Sequence, residues 1–125
     1  MQIMSTIVLA ALLAAAAPSG EARFLQENAG VMDKMMRAMS TKPTGEVDRD
    51  FVDMMEPHHQ GAIEMAQIEL RYGHNEQLRR VAQEIVVEQQ QEITAMRLAV
   101  GRPLPPSAPA PTQAPPPVHP IKSPE

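Results

Sequence analysis

Hydrophobic residues recur at helical spacing along three stretches of this chain, with breakers between them. From Phe24 to Ser40, Leu25, Met32, Met35, Met36 and Met39 fall on one face at 3.6-residue spacing. That predicts a short Met-rich helix, weakened by Gly30. The run Thr41-Lys-Pro-Thr-Gly45 breaks it. A second helix is predicted over Val47–Tyr72, with Glu46, Asp48 and Asp50 around its first turn, where the helix dipole favours acids. Gly73 suits a left-handed cap that ends it. Asn75 suits the N-cap of a third helix from about Glu76 to Val100, which Gly101 and Pro103 stop. At 1.5 Å per residue the two long helices each measure roughly 35–40 Å, and so short a connection makes them an antiparallel hairpin. Pro57 removes one backbone hydrogen bond and crowds the carbonyl a turn earlier. A kink, or a break at which Pro57 opens a new helix, is expected directly before the histidines.

At 100° per residue, Phe51, Met54, Met55, His58, Ala62, Met65 and Ala66 form the stripe of helix two, flanked by Val52, His59, Ile63 and Leu70. Asp53, Gln60, Glu64, Gln67 and Arg71 take the opposite side. On helix three the stripe is Leu78, Val81, Ala82, Ile85, Val86, Ile93, Met96, Ala99 and Val100, with Gln89 and Glu92 in its middle. A hairpin turning at about His74 sets His58 and His59 level with Gln90 and Gln89. Glu92 is then within a turn of them and Met55 lies near Ile93. A carboxylate turned inward alone is costly, so Glu92 is expected to pair with His58 or His59.

The ends of the chain read differently. Ile3–Ala17 is a continuous Ala/Leu-rich run of signal-peptide length, followed by small residues; the α-amino group is the only charge before it. Export is expected, to the periplasm or outside the cell, with cleavage after Ser19 or Ala22 and no stable membrane insertion afterwards, since the run is short for a bilayer span. Arg102–Glu125 holds ten of the thirteen prolines and favours polyproline II, so residues 102–125 read as a disordered or semi-rigid tail carrying His119. The folded part is then residues 23–101, with 9 Lys/Arg against 13 Asp/Glu. That acidic balance and the lack of a basic patch argue against nucleic acid. The chain has no Cys, hence no disulfide framework, and with one Tyr and two Phe its core must be aliphatic and methionine-based. A unit this small leaves much of the helix-two stripe uncovered, so a homodimer completing a four-helix-like bundle is expected.

The chemistry concentrates in Met54-Met-Glu-Pro-His-His-Gln-Gly-Ala-Ile-Glu-Met-Ala66. Imidazole with thioether is a ligand pair suited to copper, above all Cu(I), because thioethers are soft. His58 and His59 are the candidate main ligands, assisted by Met54, Met55 or Met65. The competing reading is a Glu–His–Gln network that only fixes register, with methionine as core filler. For Met32, Met35, Met36 and Met39, plain core packing is the simpler expectation. No nucleophile with a base, phosphate loop or paired carboxylates in a cleft is visible, so no enzymatic activity is expected.

The run Asp50–Ala66 closely resembles the DUF305 family, a ferritin-like helical family of mostly exported bacterial proteins. Gln89-Gln-Gln-Glu-Ile-Thr-Ala-Met96 is similar to that family's second block, and Met32-Asp-Lys-Met-Met-Arg-Ala-Met39 to a Met-rich lead-in seen in many members. The resemblance covers about Asn28–Gly101. It implies an all-α, ferritin-like antiparallel hairpin. Some members resemble periplasmic copper-binding proteins linked to copper tolerance, which implies Met/His copper sites. By position, His58, His59, Met65, Gln89, Glu92 and Met96 match the motif, and Met54 and Met55 precede it. A di-iron bundle needs two Glu-x-x-His motifs and further Glu ligands. Glu56-Pro-His-His59 supplies one such spacing, and projection turns Glu56 to solvent. The expectation is an exported copper protein, binding Cu(I) or Cu(II) for buffering, storage or tolerance. Its rivals are a metal-free helical interaction module and a dimeric ferritin-like metal oxidase.

Overall fold

Ser19 starts the first helix: its hydroxyl accepts the Ala22 N–H at 3.1 Å, and α1 runs over Gly20–Met39. The computed structural model describes residues 17–106. Residues 3–16 of the apolar run, residues 107–125 of the Pro-rich tail and His119 lie outside the described residues. Among those described the chain is all-α, with α2 over Val47–Tyr72 and α3 over Glu76–Ala99. No helix among them is long and apolar enough to cross a membrane. At 20 residues α1 is not short; it begins four residues before the Phe24 predicted from periodicity. The cap at Ser19 and the acid Glu21 in the first turn are what extend it. A cut after Ala22 would therefore remove the first turn of α1.

The ends of α2 fall where the breakers put them. Before it, Asp50 reaches back to accept both the backbone N–H of Thr44, at 2.8 Å, and its hydroxyl, at 2.6 Å. These bonds hold the Asp50 carboxyl below the usual carboxylate range, the hydroxyl contributing most. The helix runs unbroken through Pro57, so no second helix opens there. Gly73 is not left-handed: its backbone is extended, with φ −73° and ψ 145°. The reason lies two residues on. Asn75 caps α3, accepting from Gln77 and Leu78 N–H, and the chain must extend between Tyr72 and that cap. Gly101 does take a left-handed turn, φ 69°, after α3. Beyond it Arg102 is ion-paired to Asp53, and Arg97 donates to the Pro103 carbonyl at 2.8 Å.

The three helices lie side by side in up-down-up order. α1 and α3 each pack against α2 and not against one another. Between α2 and α3 the core is Ile63, Ala66, Ala82, Val86 and Ile93, with Leu70, Ile85 and Met96 packed on it. Burying a Val or Ile side chain stabilises by about 1.5–3 kcal/mol, so this seam carries much of the fold. On the other side Met35 lies over Gly61, where an added Cβ would sit 2.6 Å from its sulfur. Lys34–Glu64 at 2.6 Å and the Glu27–Arg71 pair run along the same seam, and the Tyr72 hydroxyl donates to Glu27 at 2.5 Å.

This arrangement corrects the expected stripe of α2. Its predicted flank is the core: Val52, His59 and Ile63 are buried, with Ala66. Its predicted centre is open in part: Phe51 is 51% and Met54 44% exposed and His58 is exposed, while Met55, Ala62 and Met65 are half-buried and Ala66 is buried. With neighbours on two opposed sides of α2, the positions between those sides stay uncovered. The expected core packing of the α1 methionines holds only for Met35; Met32 and Met36 are exposed and Met39 is half-buried.

Candidate metal centre

Adjacent helical residues diverge by 100°, so His58 and His59 cannot share a surroundings. His59 turns to α3 and is buried. Its Nδ1–H donates to the Met55 carbonyl at 2.7 Å, and its Nε2 shares a proton with Glu92 Oε2 at 2.6 Å. Gln89 donates to the same carboxylate oxygen at 3.3 Å. The expected pairing of Glu92 thus falls on His59. Two acceptors face one ring, so two protons are needed: both on the imidazole, or one on Nδ1 and one supplied by the carboxyl. Glu92 itself sits at the edge of the seam with its side chain 58% exposed, not in the core as its place in the α3 stripe implied.

His58 points out of the seam, its ring 5.9 Å from that of His59 and nearly edge-on to it. On the same ridge of α2 stand Met54 at i−4, Met55 at i−3 and Met65 at i+7. Met54 is exposed; Met55 and Met65 are half-buried. Across the flanking helices, projection places Met32, Met36 and Met39 of α1 and Met96 of α3 toward the same side of the layer, whereas Met35 is turned into the α1–α2 seam. Imidazole and thioether are thereby gathered on one face. Among the described residues no three His, Cys, Asp or Glu side chains converge on a point; what this face offers an ion is one imidazole and thioethers.

The opposite face differs in kind. A groove of about 1120 Å³ runs over α2 between α1 and α3, edged by Gln60, Gln67, Gln90 and Gln91. One end is closed by ion pairs that projection missed. Glu56, expected in solvent, accepts from Arg97 Nε at 2.7 Å and lies 3.7 Å from Arg102. Opposite charges near matching heights of a hairpin were the available signal. It was overlooked because Arg97 lies further along α3 than the register from a turn at His74 places level with Glu56, and a long side chain spans the difference. The close approach of Met35 to Gly61 was also missed; a lone glycine inside a long helix is its signal. With Glu56 committed to arginines, the single Glu-x-x-His spacing is not free for metal.

No curated protein matches the chain. A family model described as "Domain of unknown function (DUF305)" matches residues 4–100, which takes in all three helices. The chain belongs to the DUF305 family.

Proposed function

We propose that this protein is an exported, non-enzymatic copper-binding protein that holds copper as cargo for buffering, storage or tolerance, in the periplasm or outside the cell. The observation that carries the reading is the exposed imidazole of His58 on a helix ridge shared with Met54, Met55 and Met65. Soft thioethers favour Cu(I); the imidazole accepts either oxidation state. His59 joins the donor set only by giving up Glu92 or the Met55 carbonyl, so its part is to hold the turn that carries Met54, Met55 and His58. Glu92 positions His59, and Gln89 positions Glu92.

The metal-free module draws on the same His59–Glu92–Gln89 bonds, which explain that trio without any ion. They leave His58 and its methionines unexplained. The test is copper content and stoichiometry of the purified protein, with and without His58→Ala. Bound copper that the variant loses supports the reading. Protein that takes up no copper, or holds it equally without His58, refutes it.

A further inference from the structure

We propose that the methionine-rich face of the helical layer is covered by a second copy of this chain, and that the partner's thioethers complete the copper site around His58. The copper part rests on the function proposed above; the docking part does not.

The layer has two faces, and its large apolar side chains are spread unequally. Projection puts Met32 and Met36 of α1, Phe51 and Met54 of α2, and Leu78 and Val81 of α3 on one face, each between 43% and 58% exposed. The other face carries the glutamines and ion pairs of the groove, with Val87 the exposed large apolar side chain in its lining. The exposed surface of those six side chains is on the order of 600 Å², at the top of the range for an ordinary monomer and approaching the roughly 800 Å² each partner gives to a standard interface. Half-buried methionines around them make up the remainder.

The chemistry of the face selects its occupant. On α2, positions 51, 54, 55, 58, 62 and 65 hold no charge; Glu69, next on the same stripe toward the hairpin end, and Glu92 on the α3 side place carboxylates around that apolar centre. Those carboxylates stand at its ends and edge, its centre is apolar, and it has no cationic rim for an anionic membrane. A two-fold pairing requires a patch whose centre tolerates its own copy, and the apolar methionine centre of this face does. The donors also call for it. His58, Met54 and Met65 all rise from one ridge of one helix, so an ion held there is open on its outer side. The same ridge of a second copy, brought over it face to face, presents thioethers to that side. The result is two stacked three-helix layers rather than one four-helix bundle.

Sedimentation of the chain from Ser19 onward, without copper at 1–100 μM, tests the docking. Twice the chain mass is expected. Leu78→Glu and Val81→Glu, at exposed helical positions that are not copper donors, should each give a single chain with unchanged helical circular dichroism. Their Cu(I) affinity should fall at least tenfold. A wild-type chain that stays single throughout overturns the docking. If the single chain from Ser19 onward binds a hydrophobic dye that the full chain does not, the face belongs to residues 1–18. If it pelleted with neutral lipid vesicles, the face belongs to a membrane. Single-chain variants with wild-type copper affinity overturn the partner's role in the site and leave the proposed function standing. A dimer that binds no copper overturns the completed site and the proposed function together, and leaves the interface.

Discussion

Neighbouring histidines with different surroundings should fail differently. His59 is 9% exposed and bonded through both ring nitrogens. His59→Ala opens a void and strands polar groups, at a cost of about 2–3 kcal/mol, or on the order of 10 °C in Tm for a domain this size. His58 is exposed, so His58→Ala should stay within about 0.5 kcal/mol of wild type while removing copper binding. Thermal melts and copper titrations on the two variants check both halves; a His58→Ala protein as destabilised as His59→Ala would contradict the assignment. Glu92→Gln loosens the His59 turn behind the site, so it should lower Tm, weaken copper binding less than His58→Ala does, and keep the helical fold. An unchanged affinity would mean that Glu92 serves His59 alone. The partnership of Glu92 with a histidine was legible in the sequence, because hairpin register brings their heights together. Which histidine was not: both lie in or beside one stripe, and only the two helices packed on α2 decide which part of it is covered.

Among the elements, α1 packs on α2 alone. Its seam with α2, which also holds the buried Ile68, brings Met35 against the bare backbone of Gly61, with Cβ and Cγ of Met35 3.2 and 3.1 Å from where a Cβ would stand. Gly61→Ala sets a helix-propensity gain of about 1 kcal/mol against an overpacking cost of about 1–3 kcal/mol. Gly61→Leu has no such balance and should push α1 off. Hydrogen exchange should then show lost protection over Gly20–Met39 with α2 and α3 still protected; retained protection in α1 would refute the contact. The limits of α2 and the start of α3 were legible because Gly, Pro and Asn punctuate the sequence there. The start of α1 was not, since Ser19 reads equally as a cap and as part of a leader's small-residue end. The backbone of Gly73 was misread because a left-handed cap suits an isolated helix end, and the nearby Asn75 cap demands extension.

At the scale of the molecule, pH reaches the docking of α1 through Glu27 and its two partners on α2, Tyr72 and Arg71. The Tyr72 hydroxyl first, then Arg71, holds the Glu27 carboxyl below its ordinary 4.5. Below that pH the unfolded chain takes up a proton that the folded chain resists, so stability falls as pH drops through the folded value. The same bond raises Tyr72 above its ordinary 10.0. Above that pH the unfolded chain gives up its proton first, so stability falls again as pH rises. Asp50 adds to the acid limb from 3.8 downward. Tyr72 is the only tyrosine, so ultraviolet absorbance titrates it directly. A midpoint above 10.0 that falls in Glu27→Gln is expected; a wild-type midpoint at 10.0, or one that Glu27→Gln leaves unchanged, would contradict the pair. The all-α class and the hairpin were legible, because they follow from periodicity and breakers. The open layer was not: it depends on α1 and α3 taking opposed sides of α2, which no single helix encodes. That openness is what leaves His58 and its methionines available to an ion, and X-ray absorption at the copper edge of the Cu(I)-loaded protein reads their chemistry directly. Imidazole nitrogen together with sulfur scatterers, the nitrogen signal lost in His58→Ala, is the predicted result. A spectrum without sulfur, or one that His58→Ala leaves unchanged, would contradict it.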